Sequence, residues 1–237
     1  MSAATFEIQL VPVGLQGYEL YCEIEAQPVV PVEGTGGGIR GRLARTFHDA
    51  VTYVENERHK REDRAHLADS GSRLQRERDR MMAWIAERVA EQRLLWHLRT
   101  EHTATVHHPD DLTQAEAADI VMASLQRDAR RHAVWMSVDA CGGLAMLPLA
   151  PLPGPNLPGY YFTFRAVGHL LSTMGARHGM RRVVWKYVPS AEMTDLRACA
   201  SLDPAARDAI AHRVAARLNL PHLATFVERM TAVKPVL

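Results

Sequence analysis

Five prolines crowd between Pro148 and Pro158, and they limit the fold more than any other feature of the chain. Proline lacks an N–H and its ring clashes with the preceding turn, so no single helix can run through them. The neighbourhood from Ala133 to Arg182 therefore divides into three parts: an apolar helix, an extended Pro/Gly connector at 148–158 and a second helix. Asn156 is placed to cap the second helix, and Pro158 falls in its first turn, where the missing donor does no harm. Tyr160, Phe164, Val167, Leu171 and Met174 recur at three- and four-residue steps there and predict one apolar stripe. Arg165 and His169, spaced i,i+4, lie on a different flank. Gly175 or Gly179 is expected to end the helix. The β-branched run Arg182 to Val188 then reads as a strand.

A spanning helix needs about 20 mostly apolar residues. Ala133 to Leu152 has that length, and Asp139 is its only formal charge. Gly142, Gly143, Pro148, Pro151 and Asp139 all weigh against a span, since a mid-membrane Asp costs roughly 2.5 kcal/mol or more. These criteria favour a buried core helix over a re-entrant or surface-bound hairpin, and both over a span. Asp139 itself reads in two ways. It is either a solvent-facing or hydrogen-bonded carboxylate, or a proton-carrying acid whose pKa is raised by an apolar setting.

The rest of the chain is less constrained. Residues Thr5 to Glu25 alternate around Gly14 and Gly17 and predict a β-hairpin within 1–30, which must pack on something, such as the 183–188 strand. Residues 31–38 read as a Pro/Gly linker. They lack the Gly-Lys-Ser/Thr ending and preceding strand that a phosphate loop needs. Residues 39–101 mix both charge signs densely and predict a long helical hairpin, solvated and laced with i,i+4 pairs. Thr113 and Glu116 form a capping box that opens a helix. Asp203-Pro204 opens another, and Asn219-Leu220-Pro221 breaks it before a short closing helix. Residues 102–237 thus form a helical core with a C-terminal cap.

Composition excludes several functions. Formal net charge is +1, with 28 Lys and Arg against 27 Asp and Glu, so no global attraction to nucleic acid is expected. Lysine occurs only at Lys60, Lys186 and Lys234, an arginine bias suggestive of a GC-rich bacterial genome. Cys22, Cys141 and Cys199 form neither a disulfide framework nor a zinc pattern, which points to a reducing compartment. No secretory or transit signal is evident at the start. His102, His107 and His108, with His97, Asp110 and Asp111, are the weak metal candidates. Imidazole suits zinc, but the spacing fits no template and 103–109 reads as a connector, so no metal and no cofactor is expected. Unperturbed histidine titrates near pH 6.5, so proton sensing is a further use for such residues. No Gly-x-Ser-x-Gly elbow or dinucleotide fingerprint appears, and no enzyme activity is expected.

One run is more specific. Pro153-Gly154-Pro155-Asn156-Leu157-Pro158-Gly159-Tyr160-Tyr161, then Phe164-Arg165, His169 and Gly175-Ala176-Arg177-His178, resembles the signature of the mitochondrial potassium–proton exchange-related family. Leu157 stands for the family's usual Ile, and Phe164 for its Tyr. The likeness covers roughly Leu94 to Met230, including the tail from Ser201 to Arg229. It implies association with potassium–proton exchange and makes Arg165, His169, Tyr160, Tyr161 and His178 candidate functional residues beside Asp139. Pro153, Pro155, Asn156, Pro158, Gly159 and Gly175 carry the structural motif.

The expected protein is mainly α: a helical bundle with a long charged hairpin and a small N-terminal β-hairpin. Its expected role is non-enzymatic, membrane-associated or membrane-regulatory, and linked to potassium/proton exchange. The partner would be the membrane surface or a membrane protein, and no nucleic acid. The place would be the cytoplasm, at or partly within the inner membrane. The alternative is a soluble helical interaction module with no ion role.

Overall fold

The structure, a computed structural model, describes residues 6–14, 17–23, 94–146, 157–199 and 202–232. The expected linker at 31–38, the charged hairpin as far as residue 93 and most of the 148–158 connector lie outside the described residues. The fold is mainly α with a small mixed sheet. In order the elements are β1 (Phe6–Val13), β2 (Gly17–Tyr21), β3 (Thr103–Pro109), α1 (Gln114–Ala145), α2 (Leu157–Arg181), β4 (Val184–Ser190), α3 (Ala191–Ala198), α4 (Pro204–Leu218) and α5 (Leu223–Ala232). Two compact units emerge. Unit 1 takes residues 1–23, 94–135 and 169–237, and unit 2 takes 24–93 and 136–168.

The sheet of unit 1 has the order β2-β1-β3-β4. β1 and β2 form the expected antiparallel hairpin, with Val13 opposite Gly17 and Gly14 at φ 70° in the turn. The hairpin does not pair directly with the 184–190 strand. β3 lies between them, parallel to both, with Ile8 beside Val106 and Val106 beside Tyr187. The 103–109 segment is thus a strand, correcting the connector reading. Its alternating Thr103, Ala104, Thr105 and Val106 bury the apolar members on one face, and two consecutive histidines obscure that period of two.

β1 and β3 sit inside the sheet, so both faces need cover. On one face Ile8, Leu10, Ala104 and Val106 pack with Leu94, Leu95, Leu98 and the α1 stripe Ala117, Val121, Leu125 and Ala129. That four-residue spacing keeps one side of a helix on the core. On the other face Val11 packs with Met193, Leu196, Val214, Leu223 and Val227 of α3, α4 and α5. The helical cap is therefore the second cover of the sheet.

The helix ends follow from local chemistry. Thr113 N–H and Oγ1 both donate to Glu116 Oε2, at 2.8 and 2.7 Å, and Glu116 N–H donates back to Thr113 Oγ1 at 3.3 Å, forming the capping box. Asp203 Oδ1 accepts from Ala205 N and Ala206 N, both at 3.1 Å, with Pro204 just inside α4. Asn219 closes α4 at φ 55°, a left-handed conformation that asparagine tolerates. Asp203→Ala is expected to cost about 1 kcal/mol, and Asp203→Asn only part of that, as urea midpoints would show.

Two expectations about α1 and α2 change. α1 continues through Gly142 and Gly143 to Ala145, but from 133 onward it is not the expected buried core helix, since Val134, Trp135, Val138 and Leu144 are exposed. On α2 the buried positions in unit 1 are His169, Ser172, Thr173, Gly175, Ala176 and Gly179, whereas Met174 of the expected apolar stripe is exposed. The helix seats itself by small residues. A Cβ on Gly175 would lie 1.7 Å from the backbone oxygen of Leu95, and one on Gly179 would lie 2.4 Å from Leu98 Cδ2. Both glycines permit close approach of residues 94–98, and neither ends the helix. Among the described residues no helix is long and apolar enough to cross a membrane.

Candidate functional site

In unit 2, α1 and α2 bring Asp139 and Arg165 together. Asp139 is 2% exposed, and its Oδ2 lies 3.3 Å from Arg165 Nε. Arg165 Nη1 donates to the hydroxyl of Tyr161 one turn earlier, at 2.8 Å, and its guanidinium carbon lies 5.4 Å from the centroid of that ring. Phe162 meets Tyr161 edge-on at 5.5 Å and lies against Gly142, where a Cβ would come 2.8 Å from Cδ1. Gly142 is thus the seat for an aromatic ring. One sequence reading left Asp139 either solvent-facing or hydrogen-bonded, and its burial removes the first of these settings. Asp139 is a buried carboxylate held by a guanidinium, and such a pair persists in low dielectric only because each charge offsets the other's lost hydration.

In unit 1 the same two helices pair His132 with His169. Their Nδ1 atoms are 2.8 Å apart and their ring centroids 5.1 Å apart. His169 is 8% exposed, so it does not lie on a solvated flank. Thr173 Oγ1 donates to the His169 carbonyl at 2.8 Å, and Trp96 Nε1 donates to Ser172 Oγ at 3.0 Å, fixing this face of α2. Burial lowers the His132 pKa to about 4, with His169 and then Arg131 adding repulsion. Nearby, burial pushes the Asp128 carboxyl up to about 6 against the pull of Arg127. Neither His132 nor Asp128 was marked by sequence. Both sit among arginines in a run that reads as an ordinary solvated helix, and only the partner across the helices distinguishes His132.

The remaining candidates are dispersed. His178 Nε2 donates to the Glu101 carbonyl at 3.0 Å, tying α2 to the start of β3. His102 is exposed, whereas His107 and His108 are adjacent on a strand and so face opposite ways. His108 is buried and bonds through Nδ1 to the Pro109 carbonyl at 2.8 Å. Among the described residues no three His, Cys, Asp or Glu side chains are grouped to hold a metal ion. Gly159 accepts from Thr163 Oγ1 at 2.8 Å. Pro153, Pro155 and Asn156, and the side chains of Pro158 and Tyr160, lie outside the described residues.

No curated protein and no solved structure matches the chain. The match to a family model begins and ends earlier than the resemblance did, taking in residues from 56 onward and stopping before the C-terminal tail. It includes both the Asp139–Arg165 and the His132–His169 pairs. With more than half of its length matched, at residues 56–182, the chain belongs to the mitochondrial K+–H+ exchange-related family.

Proposed function

We propose that this chain is a non-enzymatic, membrane-associated or membrane-regulatory protein acting in potassium/proton exchange. The observation that carries the reading is the buried Asp139–Arg165 pair inside the family-matched region. Buried charge is costly to keep, and perturbed or paired titratable groups concentrate at functional sites. Membrane contact is supported by exposed side chains on α1. Unit 1 exposes Arg130, Arg131, Val134 and Trp135, the last 45% accessible. Unit 2 exposes Val138 and Leu144. Arginines beside tryptophan and aliphatic side chains suit an anionic lipid surface, where basic groups meet headgroups and indole sits at the interface. The proposed setting is the cytoplasmic face of a membrane.

A second reading, a helical interaction module with no ion role, is favoured by Leu170 and Met174, exposed one turn apart on α2. Fractionation of the native protein separates the two. Retention on membranes with release by high salt is expected, and Arg130→Glu with Arg131→Glu is expected to abolish it. Full recovery in the soluble fraction at low salt would leave the interaction module. If membranes retain the protein, Asp139→Asn and Arg165→Gln are the variants for a potassium/proton flux assay, where loss of flux is expected.

A further inference from the structure

We propose that His132 and His169 form a single-proton binding site, taking up one proton as a unit and refusing the next until their mutual hydrogen bond breaks. This goes beyond the functional reading above and holds whether or not the chain meets a membrane.

The geometry dictates the proton inventory. A separation of 2.8 Å between two Nδ1 atoms is a hydrogen bond, so one ring supplies N–H and the other a lone pair. In the neutral pair the donor ring has a bare Nε2, and the acceptor ring carries its proton on Nε2. One added proton can therefore go only to the donor's Nε2 if the bond is kept. The product is an imidazolium donating to a neutral imidazole, a charge-assisted bond stronger than the one it replaces. A second added proton must go to the acceptor's Nδ1. It removes the lone pair, breaks the bond and leaves two cations facing each other across α1 and α2.

The surroundings oppose that second step. His169 is buried, and the charges acting on His132 among the described residues are His169 from α2 and Arg131 from α1, both positive when charged. The segment at 94–98 presents uncharged Trp96 to Ser172, and its His97 stacks on Phe6. Among the described residues, no carboxylate is a cause of the His132 shift. Burial first, then repulsion from His169 and Arg131, lowers the His132 pKa to about 4, and the two protonation steps belong to the pair as a whole. A histidine held neutral in this way contributes stability that is present above its unfolded pKa, near 6.5, and is lost as pH falls toward about 4.

Global unfolding is a poor probe of this pair. Asp128, raised to about 6, contributes in the opposite sense, with stability present below its unfolded value and lost as pH rises through 6. The test is ring-¹⁵N histidine NMR on the whole chain between pH 8 and 3.5. A ¹⁵N–¹⁵N scalar coupling across the hydrogen bond is expected at pH 7, surviving the first proton and vanishing near pH 4. In His169→Gln the His132 midpoint is expected to rise by at least half a pH unit, because the repelling imidazolium is gone while burial remains. Absence of coupling at pH 7, or titration of the two rings independently near 6.5, overturns the proposal. So does an unchanged His132 midpoint in a folded His169→Gln protein. Should that variant fail to fold, the coupling in the unsubstituted protein decides alone.

Discussion

Replacing Arg165 by methionine is expected to destabilise the protein by about 2–3 kcal/mol, seen as a fall in Tm of about 4–10 °C. The cause is Asp139, 2% exposed and 3.3 Å from the guanidinium. Removing one partner of a fully buried pair costs about 3–5 kcal/mol, because the other charge stays out of water. The Arg165 side chain is 30% exposed, so solvent screens the pair and the lower figure applies. Adding Asp139→Asn to Arg165→Met removes the stranded charge and is expected to restore most of the loss. This pattern, a large single effect that the double substitution relieves, separates an ion pair from lost packing by the arginine stem. A change under about 0.5 kcal/mol for Arg165→Met, the usual range for a surface site, would show that the carboxylate does not depend on the guanidinium.

Gly175→Ala is the second large effect, and its sign opposes intuition. In a helix interior alanine is normally better than glycine by about 1 kcal/mol. Here the added methyl would sit 1.7 Å from the Leu95 carbonyl oxygen and 2.6 Å from its carbon. Backbone cannot swing aside as a side-chain tip can, so residues 94–98 must move, and with them Leu94, Leu95 and Leu98 of the first core. Overpacking costs about 1–3 kcal/mol, and a clash with backbone belongs at the upper end of that range. Gly143→Ala is the control: its nearest neighbour would be Phe162 Cβ at 3.8 Å, ordinary contact. A gain of up to about 1 kcal/mol is expected there. Equal and small effects at both positions in thermal melts would refute the close approach at Gly175.

Local chemistry was the most legible part of the sequence. The hairpin around Gly14, the Thr113–Glu116 capping box, the Asp203 cap and the break at Asn219 each depend on residues a few positions apart, and each appears as read. Long-range facts were not. The β3 strand was hidden because His107 and His108 interrupt its alternation, and because its partners lie about a hundred residues before it and eighty after it. The buried face of α2 was misjudged for a different reason. Hydrophobic periodicity assumes that large apolar side chains mark the core, but this helix packs by small ones, and Met174 was left outside. At the candidate site, the family-like spacing found Arg165 and His169, and sparse charge singled out Asp139. His132 had no such signal, since a histidine beside two arginines looks solvated until its partner is in place.

The position of β1 also has a consequence during synthesis. That strand occupies an interior place in the sheet, yet its second neighbour, β3, begins at Thr103. At about 5–20 residues per second, a ribosome needs several seconds to reach Thr103 after completing the hairpin. During that interval β1 has one unpaired edge and two apolar faces, and a lone hairpin is marginal in water. The exposed run Ile8 to Val13 is then open to strand-adding partners, including other nascent copies. Yield of this protein should therefore depend on translation speed and on chaperones that hold extended apolar segments, more than on the stability of the finished fold.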